Sequence, residues 1–362
     1  MVYQSIFDPI ANILGILMRY IYLSVAFQNY GIAIIIFTLI TRLVLLPLNI
    51  KQTKSMSKMQ SIQPELKEIQ AKYKNDKERL NQATMELYKK HQVNPAGGCL
   101  PLLIQMPLLF SLYYVIRQPL KFMFRFEPEK IETIGRYIVE KAPEYQKVMF
   151  NGEKFFAMNA DLPIIRYFAS FGENMSVALA DLAAKTGIVL DPKQIINMDF
   201  LGIKLGETPT INMDVIQDNP GVFLPLLLIP VLAALTTYLS SKSTQSASAS
   251  QAGGMGKSMM YLFPGMTMLF TFSLPAGLGL YWIVGNILQI IQQKFMNKHV
   301  HKKEEEESRV REEKMKLEAE EKQKLIAQRE FDKDVLRSSN VSKKKMKNLS
   351  EREKKQKNPD NR

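Results

Sequence analysis

The chain reads as an all-α polytopic membrane protein, with five transmembrane helices, a cytoplasmic helical hairpin and an amphipathic amino-terminal interfacial helix. Three observations predict this. Residues 32–50, 99–116 and 222–239 are apolar stretches of 19, 18 and 18 residues whose single charge is Arg42. Between Lys257 and Lys294 run 36 uncharged residues, roughly 54 Å as helix and nearly twice the hydrocarbon thickness of a bilayer. The charge sits elsewhere: residues 51–97 carry ten Lys and Arg against five acids, and 294–362 carry 22 against 15. An ordinary soluble enzyme is excluded. A disulfide-built secreted fold is excluded as well, because Cys99 is the only cysteine.

Residues 1–29 form an extracytoplasmic amino terminus. Asp8-Pro9 starts a helix there, the acid as cap and the proline in the first turn. Ile10, Ile13, Leu14, Leu17 and Ile21 recur at helical spacing, with Asn12 and Arg19 off that face. The pattern fits a helix lying on the outer surface, with a sixth span as the alternative. A cleaved signal is not expected, since no basic region precedes the apolar run. Residues 30–50 are the first span. Residues 51–97 stay in the cytoplasm, because short loops rich in Lys and Arg do.

That cytoplasmic segment carries two helical patterns. Met56, Met59, Ile62, Leu66, Ile69 and Tyr73 form one seam, Asn75-Asp76 a turn, and Leu80, Ala83, Thr84 and Leu87 the facing seam. Pro64 predicts a kink or break in the first helix. The segment reads as a hairpin packing on itself, with a basic, Met-rich surface for lipid headgroups or proteins.

Residues 98–118 are the second span and 119–220 a long extracytoplasmic loop. The loop holds acids and bases in near balance, 11 Lys and Arg against 14 Asp and Glu over 121–220, and reads as a small helical cap. Residues 221–240 are the third span and 241–257 a cytoplasmic loop. The 36-residue run turns at Ser273-Leu274-Pro275-Ala276-Gly277 into spans 258–273 and 275–295. The basic cytoplasmic tail, 296–362, ends in Lys343-Lys344-Lys345-Met346-Lys347 and is too charged to build a core. It serves as a solubilising segment or as an electrostatic contact for ribosomal RNA, with Lys343, Lys344, Lys345 and Lys347 as the contact candidates.

Arg42 is the most informative residue. It lies nine residues from Lys51, and a central arginine costs about 2.5–3.5 kcal/mol on insertion scales. The five spans contain no Asp or Glu to pair with it. A water-filled cavity is the expectation, a purely structural arginine the alternative. Polar residues gather in stripes: Thr38 and Asn49 share the face of Arg42, and Trp282, Asn286, Gln289 and Gln293 follow at steps of 4, 3 and 4. Gln105, Thr236, Thr237 and Ser240 contribute from the other spans. Any of these can also serve as interhelical glue. There is no P-loop, nucleophile elbow or HExxH, and no metal-ligand spacing, so no catalytic residue, cofactor or metal is expected.

The segments IIIFTLITRLVLLPL (34–48), NPAGGCLPLLIQMP (94–107) and FPGMTMLFTFSLPAGLGLYWIVGNILQIIQQ (263–293) resemble the YidC family of membrane protein insertases, related to the mitochondrial oxidase-assembly translocase and the chloroplast Albino proteins. The likeness covers roughly residues 5–120 and 195–298, in a form without a large domain before the first span. It implies a non-hydrolytic insertase and chaperone of the bacterial plasma membrane, amino terminus outside and carboxyl terminus inside. It further implies a cytosol-open hydrophilic groove around Arg42, with release of clients along a greasy face of the spans. Thr38 and Trp282 match positions that line the substrate path, and Gln105, Thr237, Asn286 and Gln289 are the other groove candidates. Nascent membrane proteins, the ribosome and the lipid bilayer are the implied partners, with the Sec translocon a further candidate and no small-molecule substrate. The rival reading is a secondary transporter or channel in which Arg42 binds an anionic solute; five unequal spans without repeat halves fit it poorly.

Overall fold

The computed structural model describes residues 6–93, 100–244 and 253–296, and in the tail residues 317, 346, 348–350 and 352. It divides into residues 1–296 and 297–362. The tail lysines 343, 344, 345 and 347 lie outside the described residues.

Helix α1 (Asp8–Ser24) begins where Pro9 predicts, but Asp8 is not its cap; its carboxylate instead accepts from Lys121 Nζ at 3.1 Å. The buried face also differs from the expected one. Ala11, Leu14, Met18, Ile21 and Tyr22 are buried, whereas Ile10 and Ile13 are exposed. Apolar residues occur all round this helix, so periodicity alone could not choose a face. Gly15 decides it, because a Cβ there would collide with the Phe122 carbonyl.

The first apolar stretch is broken. Helix α2 (Tyr30–Val44) is followed after Leu45 by α3 (Leu46–Ser61), and the axis bends by 58°. Pro47 accounts for the bend, since it has no N–H to donate and its ring crowds the carbonyl of residue 43. A second break at Ile62, ahead of Pro64, starts α4 (Gln63–Lys72), and Asp76 caps α5 (Lys77–Lys90) by accepting from Arg79 N at 3.0 Å. Ile62, Leu66, Leu87 and Val93 are the buried residues between them, while Leu80, Ala83 and Thr84 are only half-buried. The hairpin therefore packs most tightly away from its turn. There Glu65 meets His91 at 3.0 Å and Lys90 at 3.3 Å, and the His91 hydrogen bond holds its carboxyl below the usual range.

Helix α6 (Leu100–Arg117) leads through α7 (Pro119–Phe122) into a folded cap. The cap holds α8 (Pro128–Lys141), α9 (Gln146–Met149), α10 (Asp161–Ala169), α11 (Met175–Thr186) and α12 (Met213–Asp218). It is not purely helical: β1 (Phe150–Asn151) pairs with β2 (Lys154–Phe155), and β3 (Asp199–Phe200) with β4 (Ile203–Lys204), both antiparallel. Ile134, Ile138, Phe150, Ile164 and Phe168 make its centre.

Helices α13 (Pro220–Leu226) and α14 (Leu228–Thr244) form one apolar rod, which packs on α15 (Gly253–Thr271). Residues 272–275 turn into α16 (276–296). The cap's return segment secures two helix starts, where the first N–H groups have no partner within the helix. Asn197 O accepts from Tyr30 N at 3.0 Å, and Leu205 O and Glu207 O accept from Gly277 N and Ala276 N at 2.8 Å. Among the described residues Pro220–Ser243 is the one helix long and apolar enough to cross a membrane unaided, and the bent pair Tyr30–Val44 and Leu46–Ser55 passes only as a unit.

Candidate functional site

A cavity of about 820 Å³ lies between α2–α3, α6, α15 and α16. By volume it holds about two turns of an α-helix some 10 Å wide. Its walls differ. Arg42, Asn49, Gln52 and Thr53 from α2–α3 and Gln289, Gln292 and Gln293 from α16 make a wall of amides and hydroxyls around one cation. Met106, Leu109 and Phe110 from α6 and Phe263, Met266 and Phe270 from α15 make an apolar wall.

The bend at Leu45 is what aligns the polar wall. Arg42 ends α2, and α3 carries Asn49, Gln52 and Thr53 onward in a new direction along the same cavity. Arg42 is half-buried, and Gly285 makes room for it: a Cβ on Gly285 would stand 3.0 Å from the guanidinium Nη2. Among the described residues no carboxylate belongs to the lining. Next to the guanidinium, Tyr281 accepts from Gln105 Nε2 at 3.0 Å, tying α6 to α16. At the edge of the cavity Asn286 Nδ2 donates to Thr237 Oγ1 at 2.9 Å and Thr236 Oγ1 at 3.3 Å. Each threonine hydroxyl donates in turn to its own helix, Thr236 to Leu232 O and Thr237 to Ala233 O, both at 2.7 Å. Every hydroxyl there both gives and accepts, so the α14–α16 seam is polar and satisfied.

Of the residues expected in a groove, Arg42, Gln105, Trp282, Asn286 and Gln289 line the cavity together. Thr38 is buried in the packing of α2 and donates to Ile34 O at 2.6 Å; Thr237 is buried beneath Asn286. Neither reaches the lining. Tyr281, Gln52, Thr53, Thr267 and Gln292 line the cavity without having been singled out. Gln52 and Thr53 extend the Asn49 face into a segment that reads as cytoplasmic. Tyr281 precedes small Gly285 by one turn, a spacing that marks a close approach on that face. Among the described residues no group of three His, Cys, Asp or Glu side chains is placed to hold a metal ion.

The site is thus a cavity with a cation on a polar wall and an apolar wall opposite, set among the helices of a largely helical membrane chain. Residues 22–304 match the family model described as "60Kd inner membrane protein". The chain is 33% identical over 305 residues to the "Membrane protein insertase YidC" of Clostridium perfringens (strain 13 / Type A), covering 81% of this chain and 92% of that protein. It is 30% identical over 270 residues to the protein of that name from Fusobacterium nucleatum subsp. nucleatum, covering 75% and 87%. To the one from Pelodictyon phaeoclathratiforme it is 31% identical over 271 residues, covering 75% of this chain but 33% of that longer protein. The chain belongs to the YidC family of membrane protein insertases. It is thus an insertase of the cell membrane whose family acts on newly made membrane proteins.

Proposed function

We propose that this protein receives the polar segment of a nascent membrane protein in the cavity around Arg42 and releases its apolar segment sideways into lipid. The observation that carries the reading is a cation without a carboxylate in a cavity walled by amides. A polypeptide segment crossing a bilayer exposes backbone and side-chain polar groups that hydrocarbon cannot satisfy. Asn49, Gln52, Gln289, Gln292 and Gln293 offer both donors and acceptors to such groups, and Arg42 attracts acidic side chains. The apolar wall offers lipid-like surface to the client's hydrophobic residues. Phe110, Phe263, Met266 and Phe270 are each partly exposed, so this wall also faces outward.

The accompanying topology has five spans, 30–50, 98–118, 221–240, 258–273 and 275–295, with the hairpin and tail in the cytoplasm. In that arrangement Asn49, Gln52 and Thr53, which follow the bend at Leu45, belong to the cytoplasmic mouth of the cavity. The basic tail recruits ribosomes through phosphate contacts, with the Sec translocon as a further candidate partner. Ribosome co-sedimentation by full-length protein is then expected to fall steeply as salt rises and to weaken on deletion of 298–362.

The decisive experiment is site-specific photo-crosslinking from Trp282 and Gln289 to stalled nascent membrane proteins in native membranes. Crosslinks to the client's translocating segment are expected. Absence of crosslinks, together with flux of a small anion through proteoliposomes, would overturn the insertase groove in favour of a transporter.

A further inference from the structure

Left-handed backbone at non-glycine residues occurs, among the described residues, at Phe27, Gln28, Gln92, Arg125 and Leu201. Two of these are large and apolar, Phe27 (φ 51°) and Leu201 (φ 53°), and they are 87% and 86% exposed. That conformation favours glycine, asparagine and aspartate over leucine or phenylalanine. Leu201 and Gly202 form the two-residue connection of the β3–β4 hairpin with both φ values positive, a turn that Asn-Gly serves best. A leucine there forgoes the local preference and is hardly covered by the rest of the chain.

The two turns are tied together. Asn29 Nδ2 donates to Asp199 O at 2.9 Å, and Tyr30 N donates to Asn197 O at 3.0 Å. Both tips therefore stand at the amino-terminal end of α2, the outer end of the first span in the topology above. Helix α1 leads to the same place. Ile13, Ile16, Tyr20 and Leu23 on α1 and Val25 beyond it are exposed apolar residues that end beside Phe27. A strip of that kind, continued by two apolar turn tips at a span's outer end, matches the boundary between headgroups and acyl chains.

We propose that Phe27 and Leu201 form a paired wedge that enters the outer leaflet and holds the outer cap against the bilayer. The occupant of this surface is lipid, because among the described residues the exposed apolar strip of α1 and the two turn tips form one continuous surface at the end of a membrane helix, as an interfacial helix requires. The wedge is separate from the cavity and goes beyond the insertase reading, resting only on α2 starting at the outer surface.

The test uses full-length protein with Cys99→Ser and one new cysteine, Phe27→Cys, Leu201→Cys or Val177→Cys, each labelled with a polarity-sensitive nitrobenzoxadiazole dye. Val177 is 70% exposed on α11 and serves as the water-facing reference. The proteins are reconstituted in phosphatidylcholine vesicles with plain or brominated acyl chains. Blue-shifted emission, quenched by brominated lipid at 27 and 201 but not at 177, is expected. Labels at 27 and 201 quenched no more than the label at 177 overturn the wedge. Client insertion is measured on the same vesicles, so an active protein with unquenched labels removes the wedge and leaves the proposed function standing.

Discussion

In the cap charges meet charges: Arg166 lies 2.9 Å from Glu207, Lys141 3.3 Å from Asp181 and Lys204 2.6 Å from Asp199. In the cavity Arg42 faces Tyr281, Gln105 and a row of amides, with no carboxylate in the lining. The cap's pairs are largely solvated, so each contributes little to stability and serves mainly to set loop geometry. A cation placed at the centre of a bilayer would cost about 2.5–3.5 kcal/mol. Retaining it without a permanent partner leaves its field available for a transient one. The cap does contain one sealed charge, and the contrast is instructive. Asp161 is fully buried and accepts from Lys121 N at 3.2 Å through Oδ2, while Oδ1 has no partner. Burial pushes its carboxyl up to about 7. Arg42 has a cavity to open into; Asp161 is enclosed by packing, which favours its protonated form.

The largest expected effect comes from Arg42→Ala. Unit charges about 8 Å apart at an effective permittivity near 20 attract by ~2 kcal/mol. Insertion of a client with Asp or Glu in its translocated segment should fall about tenfold or more, while the neutralised client is affected far less. Arg42→Lys should retain much of the activity, since a point charge suffices and no bidentate partner is present. Paired clients assayed in cells holding matched amounts of each variant decide this. Equal loss for both clients at normal protein level refutes the electrostatic role, and loss of the protein itself makes Arg42 a structural pin, as in the cap.

Asp161→Asn should have the next largest effect, on stability and not on insertion. A carboxyl whose folded pKa of about 7 exceeds its ordinary 3.8 binds its proton more tightly in the folded state. The cap is therefore most stable below about pH 4 with respect to this group and loses stability as pH rises through 7. Asparagine keeps an acceptor for Lys121 N and removes the charge. A gain of roughly 1–3 kcal/mol is expected at pH 8, given ~1.4 kcal/mol per pKa unit and partial relaxation. Hydrogen exchange of α7 and α10 amides reads it. Protection raised equally at pH 5 and pH 8 would show that ionisation is not the cause.

Smaller effects separate packing from lining on α16. Asn286→Ala removes two donated hydrogen bonds to the threonines of α14 and should cost about 1 kcal/mol for each. Gly285→Leu fills the space in which Arg42 lies and should reduce insertion of acidic clients at unchanged protein level. If thermal stability fell for Gly285→Leu and insertion did not, the arginine's place in the cavity would not matter to clients.

Much of this architecture was legible in the residues, and unevenly so. The helices, the break ahead of Pro64 and the turn around Pro275 followed from proline chemistry and hydropathy. Arg42 announced a cavity because a charge among apolar residues has a known cost. The buried face of α1 could not be read, since apolar residues surround it and the choice rests on Gly15 meeting Phe122. The angle at Leu45 was equally hidden. Pro47 was visible, yet only the 58° bend brings Gln52 and Thr53 onto the cavity wall. The β3–β4 hairpin escaped a helical reading because its strands are two residues long, too short for a period-two pattern.

The smallest effect should come from excising part of the cap. Deleting 140–190, replaced by a short flexible linker, removes α9, α10 and α11 together with Asp161. The segment that secures the membrane helices lies beyond it: Asn197 O on Tyr30 N, and Leu205 O and Glu207 O on the start of α16. These contacts hold backbone groups at the amino-terminal ends of α2 and α16, the two helices that carry Arg42 and Tyr281. If the cap only covers the outer face, one-span clients should insert nearly as well with the deletion, and Arg42→Ala should still discriminate against acidic clients within it. If insertion by a well-expressed deletion is lost for acidic and neutral clients alike, the cap shapes the cavity through α7 and α6. The two regions would then be one device, and the contrast between paired and unpaired charge would describe its two ends.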